Sequence, residues 1–569
     1  MTMITATWPA DTQPSVRYPL YTRGNVGEVF PNVMSVLTGT LIGNEVNRAS
    51  FGLMQDVGLL RPRDMEETPA GTGVFCGYLY ANASLFRMMG VRTPGMTVAD
   101  ADEQITGGIG SMPPYVPRKS DRSLIASVRL GRFMMKILGR PDLTPLDVAR
   151  ADADAWVASL GDPADADDDT LLTYVASYTP RLGESMRRLL HFSMLASGPR
   201  ALLDRLTEKK GPPGLVNRLL SGLDDVDSAQ LGRRQWELGR IVADDATLTA
   251  RFDAGVTGAD FAGTALDEPF GRFLADWGHR CNDEYELACS TWSSAPAPVV
   301  AAIDRLRRAP ADRSPATITA GLVADRAAAE AELERLVPMP MRRFARRAVA
   351  AARAGAIGRE RAKDVLVREN LGVRNALHEL WRRAGERGGP TDPMACSNIA
   401  AAELADFVRD PVPFLPVISE RARLRAYLAE REPPFWFEEV IPDPSTWPVR
   451  QQPTRRHQEG ELLSGIGVSG GRAAGRARVI TDPADPRGLE PGEVLVCPIT
   501  DPSWTPLFLV ASAVVSDTGA ILSHAAIVAR ELGIPGVMSV QDATSLVDGT
   551  WLEIDGDRGT VRIGAAAEH

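Results

Sequence analysis

Lysine is scarce in this chain. Lys119, Lys136, Lys209, Lys210 and Lys363 are the only ones among 63 basic residues, the remainder being arginine. Genome composition accounts for that bias more readily than a structural demand does. Cysteine is also sparse: Cys76, Cys281, Cys289, Cys396 and Cys497 are scattered, odd in number and without a CxxC spacing. That pattern argues against a disulfide framework and a zinc site, and it fits a reducing cytoplasm. No window approaches eighteen uncharged apolar residues, and the N-terminus lacks a basic stretch followed by a long apolar one. Neither a membrane span nor a secretory signal is therefore expected. A glycine-rich phosphate loop of the P-loop type is missing. The formal charge of −10 disfavours a nucleic-acid binder.

What is present is a chain of 569 residues, long enough for two to four domains. Residues 1 to about 120 mix glycine, proline and aromatics, with an irregular segment from Tyr21 to Pro31, a helix expected from about Ser35 and a compact element at Gly77–Asn82. From about 120 to 430, apolar residues recur at three- and four-residue spacing with abundant alanine and arginine, which predicts a mostly helical region. Residues 431–460 are punctuated by prolines and polar residues, as suits a semi-extended connection. After about Glu461, short apolar runs alternate with glycine turns. Strands are expected at Ala477–Ile480, Glu493–Val496, Ala513–Val515 and Trp551–Ile554, with a hairpin at Asp555–Gly559 leading into Val561–Ile563. The fold class expected is multidomain α plus α/β: a helical domain over 1–440, a linker over 441–460 and a small α/β domain over 461–569.

The most telling stretch is Ser516-Asp517-Thr518-Gly519-Ala520-Ile521-Leu522-Ser523-His524-Ala525-Ala526-Ile527-Val528-Ala529-Arg530-Glu531-Leu532-Gly533-Ile534-Pro535. It sets His524 between a small-residue turn and an amphipathic helix that stops at Gly533. Ser523 suits the N-cap, and the helix start offers free N–H groups and a positive dipole end to an anion. Gly519, Ala520 and Ser523 permit close backbone approach there, and Thr518, Gly519 and Ser523 are the expected phosphohistidine-loop residues. A neutral imidazole so placed can carry a phosphoryl group. A helix-capping core histidine is the plainer alternative.

This string resembles the phosphohistidine swivelling domain of the phosphoenolpyruvate-utilising enzymes, among them pyruvate phosphate dikinase, phosphoenolpyruvate synthase, rifampicin phosphotransferase and the phenylphosphate synthase subunits. Gly465–Gly475 is similar to the glycine-rich opening of that domain, and Thr500–Pro506 to the segment before its histidine strand. Two positions depart from the family pattern: Ala520 replaces the second glycine of a pair, and Ser539 stands where a glycine follows the Ile-Pro stretch. Earlier in the chain, Arg359-Glu360-Arg361-Ala362-Lys363 resembles the Arg-Glu-x-x-Lys helix of the rifampicin-phosphotransferase-like acceptor domain, with Arg359 and Lys363 on one helical face and Arg374 near it. The resemblance implies that these cations line the transfer site; a solvated basic face is the alternative. His279, in Gly278–Glu284, is open to two readings, a general base toward a hydroxyl or a hydrogen-bonded core histidine. Arg23, with Asn25 and Glu28, is either a site residue on a loop or part of a turn. Phe133, Met134, Met135 and Phe192 could line an apolar acceptor pocket or belong to an ordinary core.

From the resemblance follows an expected function: a dikinase-type phosphotransferase subunit, carrying a phosphoryl group on His524 to a hydroxyl of a small, apolar or aromatic acceptor. ATP and Mg2+ are expected at a separate ATP-grasp partner, because neither an ATP-grasp segment nor a phosphoenolpyruvate-binding barrel is seen in the sequence. No metal site, no tightly bound cofactor, no nucleic-acid partner and no membrane partner are expected, and the setting is cytoplasmic. Two rival functions are a phosphoenolpyruvate-linked transfer and a silent ligand-binding or regulatory protein.

Overall fold

The computed structural model describes residues 8–564 apart from 66–70, 107–111, 140–141, 209–210, 224–225, 257–259, 451–456, 483–487, 501–503 and 520–522. Twelve strands, β1 to β12 in chain order, fall into two sheets. The first contains β1 (Leu20–Thr22), β2 (Thr72–Phe75), β3 (Tyr78–Asn82) and β4 (Trp436–Glu438) in the order β2-β3-β1-β4, all antiparallel. Tyr21 and Tyr78–Asn82 thus become strand residues with Gly77 in the turn before β3, while Ser35 caps the expected helix by accepting from the Thr38 N–H. Strand β4 arrives from beyond the helical region and closes against the N-terminus. The following residues stay with it: Trp447 is buried with its ring 6.1 Å from that of Tyr78, and Val449 bridges Arg431. The first half of the expected linker, 441–450, therefore packs on the first sheet, and 451–456 lie outside the described residues.

Two long helices dominate the middle, Asp168–Thr207 and Met339–Glu386. They cross where the second presents glycine. A Cβ on Gly355 would lie 2.4 Å from the Leu195 carbonyl carbon, and one on Gly358 would lie 2.2 Å from the Phe192 ring. The missing side chains let the backbones approach, and the crossing falls one residue before Arg359. Phe192 packs there with Ile137, Leu146, Leu195 and Ala362, and with Phe133 and Met134 at the margin, so these residues are core. Met135, which points the other way, is exposed.

The second sheet holds β5 (Leu462–Ser464), β6 (Ile466–Ser469), β7 (Arg472–Val479), β8 (Val494–Cys497), β9 (Ala513–Ser516), β10 (Gly536–Met538), β11 (Trp551–Asp555) and β12 (Thr560–Ile563). Its order is β5-β12-β11-β7-β8-β9-β10-β6, with β7 to β10 parallel and the flanking pairs antiparallel. Strands β8, β9 and β10 read as nearly continuous apolar runs because both faces are covered, whereas β7 carries three arginines and is partly exposed. Helices Thr505–Val510 and His524–Glu531 (the carrier helix) lie on one face and share a core with β8 and β9. Trp236, Leu306 and Ala309 of the helical region join that core, and Ile527 packs on Leu223 and Val226. Arg313 Nη2 also donates to the Ala511 carbonyl at 2.6 Å. The carrier helix is thus seated against the helical region. No helix of the described residues is long and apolar enough to cross a membrane.

Candidate phosphoryl-transfer site

His524 is the first residue of the carrier helix. The Ser523 hydroxyl caps it by accepting from the Ala526 N–H at 3.1 Å, as the sequence suggested. Two groups fix the loop before it. Asp517 is held by the backbone N–H and hydroxyl of Thr544, and the Ser516 hydroxyl donates to the Thr518 carbonyl at 2.9 Å. Ser539 explains the family glycine at its position: its φ is 58°, a region that favours glycine. The serine compensates by donating from Oγ to the Gly519 carbonyl at 2.5 Å. Gly519 itself has no room for more, since a Cβ there would lie 3.0 Å from that of Met538. Ala520 and the segment 501–503 lie outside the described residues.

His524 is half-buried, and its Nε2 lies 3.5 Å from the Thr505 hydroxyl. Its pKa is pushed down to about 3, first by burial and then by the Lys363, Arg280 and Arg359 cations, with Glu284 opposing. The imidazole is therefore neutral across the physiological range, as a ring that accepts a phosphoryl group must be. Those cations belong to a network on the Met339–Glu386 helix and the Gly278–Glu286 loop. Lys363 Nζ sits 2.7 Å from Glu284 Oε2, and Arg280 Nη1 donates to the same carboxylate at 2.9 Å. The two cations hold the Glu284 carboxyl down at about 2, and burial with Glu284 pulls in opposite directions on Lys363, whose net shift is upward. Arg359 Nη1 donates to Glu360 at 3.0 Å.

Behind this layer stands Asp364. It accepts from Arg280 at 3.1 Å and Arg368 at 2.7 Å, and lies 2.8 Å from His279 Nε2. His279 is buried, with burial pushing its pKa down to about 4 against the pull of Asp364. It is enclosed and engaged in holding Asp364, an arrangement that corrects the general-base reading and favours the core-histidine one. Asp227 is buried nearby, its pKa raised to about 6 by burial and the Asp364 charge.

The remaining expected site residues lie elsewhere. Arg374 is buried, and its Nη2 donates to the carbonyls of Asp283, Glu284 and Glu286 at 3.1, 2.8 and 2.8 Å. It secures the loop that carries Glu284 and does not face His524. Arg23 directly follows β1, its guanidinium 4.5 Å from the Tyr78 ring centre and bonded to the Phe30 and Pro31 carbonyls. That is a structural role for the N-terminal loop. Sequence reasoning missed Arg280, Glu284, Thr505 and Asp364. Arg280 and Glu284 flank the noticed His279, and the i,i+4 spacing that ties them to one carboxylate–guanidinium pair was the available signal. Among the described residues no cluster of three or more His, Cys, Asp or Glu is placed to hold a metal ion.

Residues 188–360 match the rifampicin phosphotransferase fourth domain, and residues 489–559 match the mobile domain of PEP-utilising enzymes. The chain is 26% identical to an uncharacterized protein of Mycobacterium tuberculosis over 97% of its own length and 62% of the relative's. It is 26% identical to rifampicin phosphotransferase of Streptomyces sviceus over 68% of this chain and 46% of that one. Phosphoenolpyruvate synthase of Aeropyrum pernix is 49% identical over 19% of this chain and 13% of its own. Over these stretches the chain is similar to the phosphoenolpyruvate-utilising enzymes. It spans about three-fifths of the length of the mycobacterial relative it matches along its whole course.

Proposed function

We propose that this chain is a phosphotransferase in which His524 carries a phosphoryl group and delivers it to a hydroxyl of a small acceptor beside Lys363, Arg359 and Arg280. One observation carries it: a neutral, half-buried histidine at a helix start, on which those three cations act together. In the transfer the P–N bond to the ring breaks, a P–O bond to the acceptor forms, and the proton lost by the acceptor hydroxyl balances the one taken up by the imidazole to leave as the neutral ring. Lys363 and Arg359 offset the charge on the phosphoryl oxygens, and Glu284 and Glu360 keep the two cations in place. The seated carrier helix corresponds to the delivery position. On this reading charging takes place elsewhere, at an ATP-grasp protein that supplies ATP and Mg2+, and the α/β region swings between the two places.

Lys363→Ala tests it. A charge-assisted contact made mainly in the transition state is worth about 1.5–3 kcal/mol, or roughly ten- to a hundredfold in rate. Single-turnover kinetics should show phosphohistidine formation close to wild type and discharge slowed by about that factor. Unchanged discharge would return Lys363 to an ordinary ion pair with Glu284.

A further inference from the structure

The seat of the carrier helix holds more positive charge than the phosphoryl position uses. Arg200, on the helix Asp168–Thr207, is 7% exposed. Its Nη2 donates to Asn217 Oδ1 at 2.7 Å, while Nε and Nη1 make no hydrogen bond among the described residues. Asp204 is the nearby acid, 3.6 Å from Nε, with a side chain 46% exposed. Across the seat is Arg530, on the last turn of the carrier helix and 6% exposed, with Nη1 3.3 Å from the Val468 carbonyl of β6. Asn217 Nδ2 reaches the neighbouring Gly467 carbonyl at 3.4 Å. Arg200, through Asn217, and Arg530 therefore both lie where the helical region adjoins β6, with Arg359 as a third like charge and Glu531 and Asp204 as counter-charges. Burial, Arg200 and Arg359 together push the Arg530 guanidinium down to about 9. Burial also pushes the Asp204 carboxyl up, which weakens it as a counter-ion. A guanidinium holds its proton tenaciously, and a buried one without a full partner is costly.

We propose that Arg200 and Arg530 form a second oxyanion site, distinct from the phosphoryl position at His524, and that a phosphate-class anion bound there holds the carrier helix in its seat. Arg200 Nη1 and Nε, neither of which makes a hydrogen bond among the described residues, supply donors from one side and the Arg530 charge comes from the other, so the anion bridges the two regions. It binds the seated arrangement alone and favours it by mass action. The anion is either free inorganic phosphate or an anionic group on the acceptor. The inference uses the seated position of the carrier helix and does not depend on His524 carrying a phosphoryl group.

Calorimetric titration of the full chain at constant ionic strength tests it, with inorganic phosphate and phenyl phosphate as probes, in wild type, His524→Ala, Lys363→Ala, Arg200→Met and Arg200→Lys. Binding should persist in the His524 and Lys363 variants and weaken at least tenfold in both Arg200 variants. Without phosphate, Arg200→Met should melt no lower than wild type, because a buried like charge has been removed. Binding of inorganic phosphate identifies the free ion as the source; binding of phenyl phosphate alone identifies an acceptor group. Loss of binding in Lys363→Ala with none in Arg200→Lys would mean that only the phosphoryl position binds anions, and it would overturn the proposal. Absence of binding by both probes to wild type would do so as well.

Discussion

At the residue scale, Ser539 shows how one side chain substitutes for another kind of backbone freedom. A non-glycine residue at positive φ costs about 1 kcal/mol, and a hydrogen bond returns a similar amount. Ser539→Ala keeps the strain and loses the bond to Gly519, so it should destabilise the protein by about 1 kcal/mol. Ser539→Gly exchanges one for the other and should stay within about 0.5 kcal/mol of wild type. Denaturant unfolding of the two variants separates these outcomes, and equal stabilities would show that the backbone at Ser539 is unstrained. The sequence marked this position only as a departure from a pattern. His524, Ser523 and Gly533 were legible because a cap, a helix start and a stop are local features. Arg23 and Arg374 were not, because an arginine's partner is set by tertiary contacts. Arg374 turned out to bind backbone carbonyls far along the chain, and Arg23 to lie over the Tyr78 ring while binding the nearby Phe30 and Pro31 carbonyls.

At the element scale, the helical middle and the main strands followed from periodicity. The parallel strands β8 and β9 and the β11–β12 hairpin sit within a residue or two of where the apolar runs place them. Strand β10 escaped because three residues after a helix stop carry no period. The pairing of β4 with β1 escaped because its partner lies more than four hundred residues away. The crossing of the two long helices was equally hidden, since Gly355 and Gly358 look like breaks in a helix and not like contact points. Gly355→Ala tests their role. Its Cβ would meet Leu195 backbone, which cannot move aside as a side chain could, so a loss of about 1–3 kcal/mol is expected. Gly321, with open space around its Cβ position, provides the control: Gly321→Ala should be neutral or stabilising. Equal effects at the two glycines, read by urea unfolding, would contradict the close approach.

At the scale of the whole molecule, seating the carrier helix makes stability depend on pH. His524 and His279 have pKa values near 3 and 4 in the folded protein against an ordinary 6.5. Between those values the unfolded chain binds more protons than the folded one. Stability is therefore complete above about pH 6.5 and falls as pH drops toward 4 and then 3. Glu284, held near pH 2 against an ordinary 4.5, adds a further loss in the same direction below that value. Each histidine should contribute about 1–2 kcal/mol of loss between pH 6.5 and 5. Urea unfolding of His524→Gln at pH 7.5 and 5 should show a shallower decline than wild type. An identical decline would mean that His524 is not desolvated in its seat.

The central claim is that His524 is the residue that bears the phosphoryl group. Its most direct measurement is the transfer of label from ATP labelled on the β-phosphate, through an ATP-grasp partner and Mg2+, followed by mapping of the labelled site. An acid-labile, base-stable adduct confined to His524 and missing from His524→Ala is expected. Equal labelling of His524→Ala would contradict the account.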